Sequence, residues 1–285
     1  MTPTDLEAWR AWVGRVEESR DTIDPGRARA MQAALDDPGP PLGPGDALPP
    51  LWHWLYFWTL APEAELGPDG HPARGGFLPP IDLPRRMWAG SRVWFPRPLP
   101  VGAAATRRSE IIEVRLKQGR GGPLVFVTVR HQVATEDGIC IEEEQDLVYR
   151  AAPTPGEMPR AGEPAPATAA WRREMAPDPV LLFRYSALTF NGHRIHYDLK
   201  FTTEVEGYPG LVVHGPLLAT LMVDLARRER PEARVTRFEF RAQRPVFDTA
   251  PYLVAGAPAA DGTGAEVWVT DPDGCYASRG RIELA

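Results

Sequence analysis

Half of the six histidines stand in one region of the chain. His193 and His196 lie three residues apart within Leu188–Asp198, LTFNGHRIHYD, and His214 directly precedes Gly215-Pro216 at the head of an apolar run. Imidazole titrates near neutral pH, so such residues suit proton transfer or metal binding. The His-x-x-His spacing lets two rings converge, but no carboxylate or cysteine at a familiar third-ligand spacing completes a metal set, and no metal is expected. A single histidine more often serves structure than catalysis. Here Asn191, His193, Arg194, His196, Tyr197 and Asp198 fall within eight positions, so a base, a water-orienting amide and an electrophile could meet. His196 is the expected base.

The element that must face these groups is the run Pro216–Arg228. Proline suits a first helical turn, whose N–H groups have no intrahelical partner. Leu217, Leu218, Leu221, Met222 and Leu225 then give an apolar face, and Arg227 and Arg228 suit the negative end of the helix dipole. Gly215 leaves the N-terminal amides unshielded, a place for an anion or for a carbonyl oxygen that becomes negative during reaction.

Periodicity gives the other elements. Leu6, Trp9, Trp12, Val13 and Val16 have helical spacing after Thr4 as N-cap, so residues 4–20 read as an amphipathic helix. LWHWLYFWTL, residues 51–60, is apolar almost all round and reads as a buried helix. Ile111–Leu116, Leu124–Val133 and Ile139–Tyr149 read as strands joined into hairpins. Residues 151–170, rich in Ala, Pro and Gly, read as a linker between an N-terminal unit, 1–150, and a C-terminal unit, 171–285. Each half has an apolar helix, then an Arg-Pro pair (Arg97-Pro98, Arg244-Pro245), then an Asp-Gly turn close before a cysteine (Cys140, Cys275). The same order twice supports a duplicated unit, one helix wrapped by antiparallel strands.

At 285 residues with 43% apolar content the chain can fill a large core. A net charge of -6 argues against nucleic acid or an anionic membrane as the main partner. Two distant cysteines offer no disulfide framework, and no run is long and apolar enough for a membrane span. The expected location is the cytoplasm.

The order Tyr185, Asn191, His193-Arg194-Ile195-His196-Tyr197-Asp198, then Gly207-Tyr208-Pro209-Gly210-Leu211-Val212-Val213-His214-Gly215-Pro216, resembles the hydratase region of the MaoC-like double hot dog hydratases and dehydratases. It is most similar to the branch of mesaconyl-CoA hydratases and fungal mitochondrial type 2 hydroxyacyl-thioester dehydratases. LGPDGHPARGGFLPP (Leu66–Pro80) and RRMWAGSRVWFPRPL (Arg85–Leu99) extend the resemblance over most of the chain.

The resemblance implies an α+β double hot dog: two units, each a long central helix wrapped by an antiparallel sheet. It also implies reversible hydration of a 2-enoyl-CoA thioester with no metal or redox cofactor. The wider motif, G-D-x-N-P-x-H, places the catalytic His at His196 and puts Asn191 where the catalytic Asp stands. An amide cannot accept a proton at neutral pH, so Asn191 orients water and is not a base. The thioester carbonyl then rests on the Gly215 amide. His193, Asp198 and His214 remain acid or orienting alternates, with Asp198 a candidate to hold the second nitrogen of His196. The expected substrate is a C5 dicarboxyl acyl-CoA, mesaconyl or itaconyl, giving citramalyl-CoA. Its free carboxylate needs a cation, for which Arg194 and Arg184 are candidates, with Tyr185 beside them. Lys200, Arg241 or Arg244 could meet the CoA phosphates. The first half is expected to give sheet and pocket wall, with WHWLYFW as its helix. A fatty 3-hydroxyacyl-thioester dehydratase and a non-catalytic thioester-binding subunit are the rivals, and a homodimer stays open.

Overall fold

A computed structural model describes residues 3–73, 75–119, 122–151, 162–260 and 262–285. The first half runs α1 (Pro3–Arg10), β1 (Val16–Thr22), α2 (Pro25–Ala34), β2 (Arg85–Trp94), β3 (Ala104–Gly119), β4 (Gly122–Thr135) and β5 (Gly138–Arg150). The second runs β6 (Trp171–Met175), α3 (Pro179–Thr189), α4 (Gly215–Glu229), β7 (Val235–Ala242), β8 (Tyr252–Pro258), β9 (Gly264–Thr270) and β10 (Tyr276–Leu284). The three strands expected in the first half lie within β3, β4 and β5. Val125, Val127 and Val129 show the cause, since these apolar side chains recur in a period of two and all three are buried.

The strands make one antiparallel sheet in the order β1-β3-β4-β5-β2-β7-β10-β9-β8-β6. Counted outward from the central β2–β7 pair, the first half reads second, fifth, fourth, third and first strand, and the second half repeats that order. This is the duplication suggested by the paired Arg-Pro and Asp-Gly signals. Both Asp-Gly turns do close hairpins, with Gly138 at φ 114 and Gly274 at φ 76. Residues 152–161 of the expected linker lie outside the described residues. Beyond them, Pro164 bridges Cys275 and the Glu163 carbonyl accepts from the Tyr276 N–H, so this part of the linker lies along the start of β10.

The halves differ in their helices. In the second, α4 packs across β6, β7, β8, β9 and β10, and Leu217, Leu221 and Met222 are fully buried. In the first, WHWLYFW is no helix. Only Trp52–Leu55 forms a single 3₁₀ turn, between Leu51 at φ 71 and Phe57 at φ 59. Left-handed residues cannot continue an α-helix. The run is apolar all round because its residues are pinned separately: the Tyr56 hydroxyl donates to the Asp24 carbonyl at 2.7 Å, the Phe57 backbone N–H to Asp21 at 2.9 Å, and the Trp54 indole to Glu143 at 2.9 Å. The expected helix over 4–20 also stops early. Gly14, at φ 86, turns the chain into β1, which pairs with β3 and leaves Val13 and Val16 exposed. One apolar cluster joins both halves, from Trp52 and Phe95 to Trp171 and Leu217.

Candidate active site

His196 sits in the short turn Arg194–His196 and is 7% exposed. Its Nδ1 lies 2.7 Å from the Val212 carbonyl oxygen. A carbonyl only accepts, so Nδ1 carries the hydrogen and Nε2 keeps its lone pair. Val212 is fixed in turn, because its N–H donates to the Ile195 carbonyl and its neighbour Leu211 donates to Asp248. Burial pushes the His196 imidazole down to about 4, only partly opposed by the Val212 bond, so the ring is neutral at pH 7. A neutral imidazole with a bare Nε2 is a base.

The N-terminus of α4 stands beside it. The rings of His196 and His214 stack with centroids 3.7 Å apart, and His214 is the residue before Gly215. The first helical bond runs from the Leu218 N–H to the His214 carbonyl, so the amides of Gly215 and Leu217 have no intrahelical acceptor and Pro216 has no N–H. The space where a Gly215 side chain would project is open. His214 is sealed: Nε2 meets Ser186 Oγ at 2.8 Å and Nδ1 is buried without a partner. It therefore fixes the start of α4 rather than exchanging protons with a substrate.

Asn191 follows α3, which Asp178 caps and which ends at Phe190 in the left-handed region. Its side-chain oxygen accepts the His193 N–H at 3.0 Å, leaving the NH₂ as the group free to point at water. Other expected roles are not supported by the positions. Asp198 does not orient His196; the Val212 carbonyl does, and Asp198 accepts from Arg194 at 2.7 Å and from the Phe201 N–H. Arg194 is accordingly neutralised, with its guanidinium over the Phe201 ring. Arg184 is exposed on α3, and Tyr185, 1% exposed, packs behind His214. Lys200 and Arg241 are exposed, and Arg244 pairs with Asp271. Arg227 and Arg228 do more than face a dipole, since both meet the buried Asp224 carboxylate.

The first half adds groups that no sequence pattern assigned. Asp69 and His71 come from the loop before β2, and the His71 ring lies 4.1 Å from that of His193, itself 5.4 Å from His196. Asp69, His71 and His193 place donor atoms within 4.8 Å of one another, close enough for one ion. As they stand, Asp69 Oδ2 and His71 Nδ1 bond each other at 3.1 Å. The guanidinium of Arg86, half-buried on β2, has no hydrogen bond or ion pair among the described residues, and its charge acts on both His71 and His193. Its neighbours Arg85, Arg92 and Arg194 are all paired. The signal for these positions was the Asp-Gly-His triplet in a Pro/Gly-rich loop, unreadable without knowing where that loop docks.

The mirrored strand order and the wrapped α4 are those of a double hot dog, and the sequence carries the same affiliation: the chain belongs to the family of hydroxyacyl-thioester dehydratases type 2, which matches residues 51–248. It is 48% identical over 276 residues to the mesaconyl-C4-CoA hydratase of Chloroflexus aurantiacus, covering 97% of this chain and 98% of that one. It is also 29% identical over 240 residues to the mitochondrial hydroxyacyl-thioester dehydratase type 2 of Schizosaccharomyces pombe, covering 73% and 77%. A Mycobacterium tuberculosis protein described as a double hot dog superposes with a TM-score of 0.59 at 17% identity, covering 95% and 96%.

Proposed function

We propose that the protein adds water reversibly across the double bond of a 2-enoyl-CoA thioester carrying a second carboxylate, of the mesaconyl type, to give citramalyl-CoA. The observation that carries this is the bare, neutral Nε2 of His196 beside the open first turn of α4, together with 48% identity to a mesaconyl-C4-CoA hydratase. The thioester carbonyl lies on the Gly215 N–H. As water bonds to the β carbon, His196 Nε2 takes its proton and the π electrons move onto the thioester, where the Gly215 N–H meets the enolate oxygen. One such donor is worth about 3 kcal/mol. Asn191 directs the water through its NH₂. A proton then reaches the α carbon, so the reaction consumes only water and involves no net oxidation or reduction.

Arg86 is the cation this reading assigns to the distal carboxylate, because a half-buried guanidinium without a partner among the described residues gains most from a ligand anion. An acidic chain with two free cysteines suits the cytoplasm. Family membership and the fungal relative favour one second reading, dehydration of a longer 3-hydroxyacyl thioester. The test follows the enoyl-thioester absorbance with mesaconyl-C4-CoA and crotonyl-CoA. A dicarboxyl substrate should be preferred, and Arg86→Gln should raise its KM at least about tenfold while leaving crotonyl-CoA unaffected. Preference for crotonyl-CoA and indifference to Arg86→Gln would move the assignment to the longer-chain dehydratase.

A further inference from the structure

Asn191 leaves the motif one acid–base group short, and the loop at residues 66–72 brings one in. The motif itself clamps that loop. The Arg194 N–H donates to the Asp69 carbonyl at 2.9 Å and the Arg194 guanidinium to the Pro68 carbonyl at 3.0 Å. Gly70, at φ 85, lies so close to Gly192 that a Cβ there would collide with the Gly192 carbonyl oxygen. Within the loop, Asp69 accepts from the His71 N–H at 3.0 Å and from His71 Nδ1 at 3.1 Å, and Nε2 of His71 has no hydrogen bond among the described residues. His193 touches the rings of both His71 and His196.

We propose that His71, backed by Asp69, is the second proton-carrying group of this active site, standing in for the carboxylate absent at position 191. The proposal rests on the hydratase reading. Its basis is what stands behind each ring: the Val212 carbonyl behind His196, the Ser186 hydroxyl at His214, and a carboxylate only behind His71. An imidazolium beside a carboxylate is stabilised far more than one beside a neutral dipole. The proton that His196 takes from water as the C–O bond forms therefore comes to rest on His71 Nε2. The enolate pair then forms the bond from the α carbon to that proton. One proton leaves water and one reaches carbon, and both imidazoles end neutral.

The charges facing His71 are Asp69, Arg86 and His193, with His196 beyond. Burial, and then Arg86, hold His71 below its usual range against the pull of Asp69, so its Nε2 is bare in the free enzyme. Asp69 stays ionised despite burial because His71 hydrogen-bonds it. Burial and the flanking histidines push His193 down to about 2, so the ring between His71 and His196 is neutral.

The test measures kcat, KM and the pH profile of hydration for wild type, His71→Gln, Asp69→Asn, Asp69→Glu and His196→Ala, with thermal melts to confirm folding. His71→Gln should lower kcat about 100-fold with KM held within about threefold. Asp69→Asn should lower kcat and move the acidic limb to lower pH, because the imidazolium loses its carboxylate, and Asp69→Glu should restore part of both. A merely structural loop would leave that limb in place. If His71→Gln and Asp69→Asn keep wild-type kcat and pH profile while His196→Ala is inactive, the hydratase reading stands and this proposal falls. One equivalent of tightly bound metal, lost in Asp69→Asn and needed for activity, would also overturn it. A wild type inert toward every enoyl thioester would remove the hydratase reading and this proposal together.

Discussion

A single backbone oxygen decides what His196 can do. By holding the hydrogen on Nδ1, the Val212 carbonyl leaves Nε2 as acceptor, while burial keeps the ring neutral far below the ordinary imidazole range. The acidic limb of kcat/KM should therefore carry a group titrating near 4, and a steady-state profile shows it directly. A limb at the ordinary imidazole value of about 6.5 would place catalysis on a solvated ring instead. Ser186→Ala should act differently. It leaves His214 with both nitrogens buried and unbonded, so a loss of about 1–3 kcal/mol in denaturant melts is expected. The His193/His196/His214 grouping was legible because those residues lie close in sequence beside a helix start. Asp69 and His71 were not, since more than a hundred residues separate them from the motif and only the fold closes that distance.

Among the elements, α4 and the hairpins were readable for one reason: their sequence period matches their burial. WHWLYFW has no polar face, and an unbroken apolar run looks alike whether helix or pinned coil buries it. Its backbone is held by Asp21 and its aromatic side chains by Asp24 and Glu143, partners far along the chain that no local pattern names. Helical spacing at Leu6–Val16 misled similarly, for Gly14 ends the helical run and β3 pairs with the residues beyond it. The 66–72 loop gives a sharp test at this scale. Gly70→Ala meets both a positive φ and the Gly192 carbonyl, so the loop must lift off the motif. Activity should fall at least about tenfold with little change in melting temperature, since the core is untouched; unchanged kinetics would show that the docked loop plays no part in turnover.

In the whole molecule, one sheet and one core span both halves, and buried charge ties them further. Asp224 on α4, 2% exposed, meets Arg173, Arg227 and Arg228, and Arg173 and Arg228 also donate to the Leu35 carbonyl at the end of α2. Asp224→Ala should cost about 3–5 kcal/mol in equilibrium unfolding, because it strands the arginines as well as losing the bonds. The histidines set how stability depends on pH. Burial lowers His131 and His196 to about 4, so in the unfolded chain they bind protons first as pH falls. Stability should decline between about pH 6.5 and 4 and be fully present above that window, visible as a falling melting temperature; a flat profile would contradict their burial. No helix of the described residues is long and apolar enough to cross a membrane. The most direct test of the central claim is the rate at which purified wild type and His196→Ala consume mesaconyl-C4-CoA. Turnover by wild type, with a loss of at least about 100-fold in the folded variant, is the predicted result. Equal rates in the two proteins would contradict the account, because the base would then not be His196.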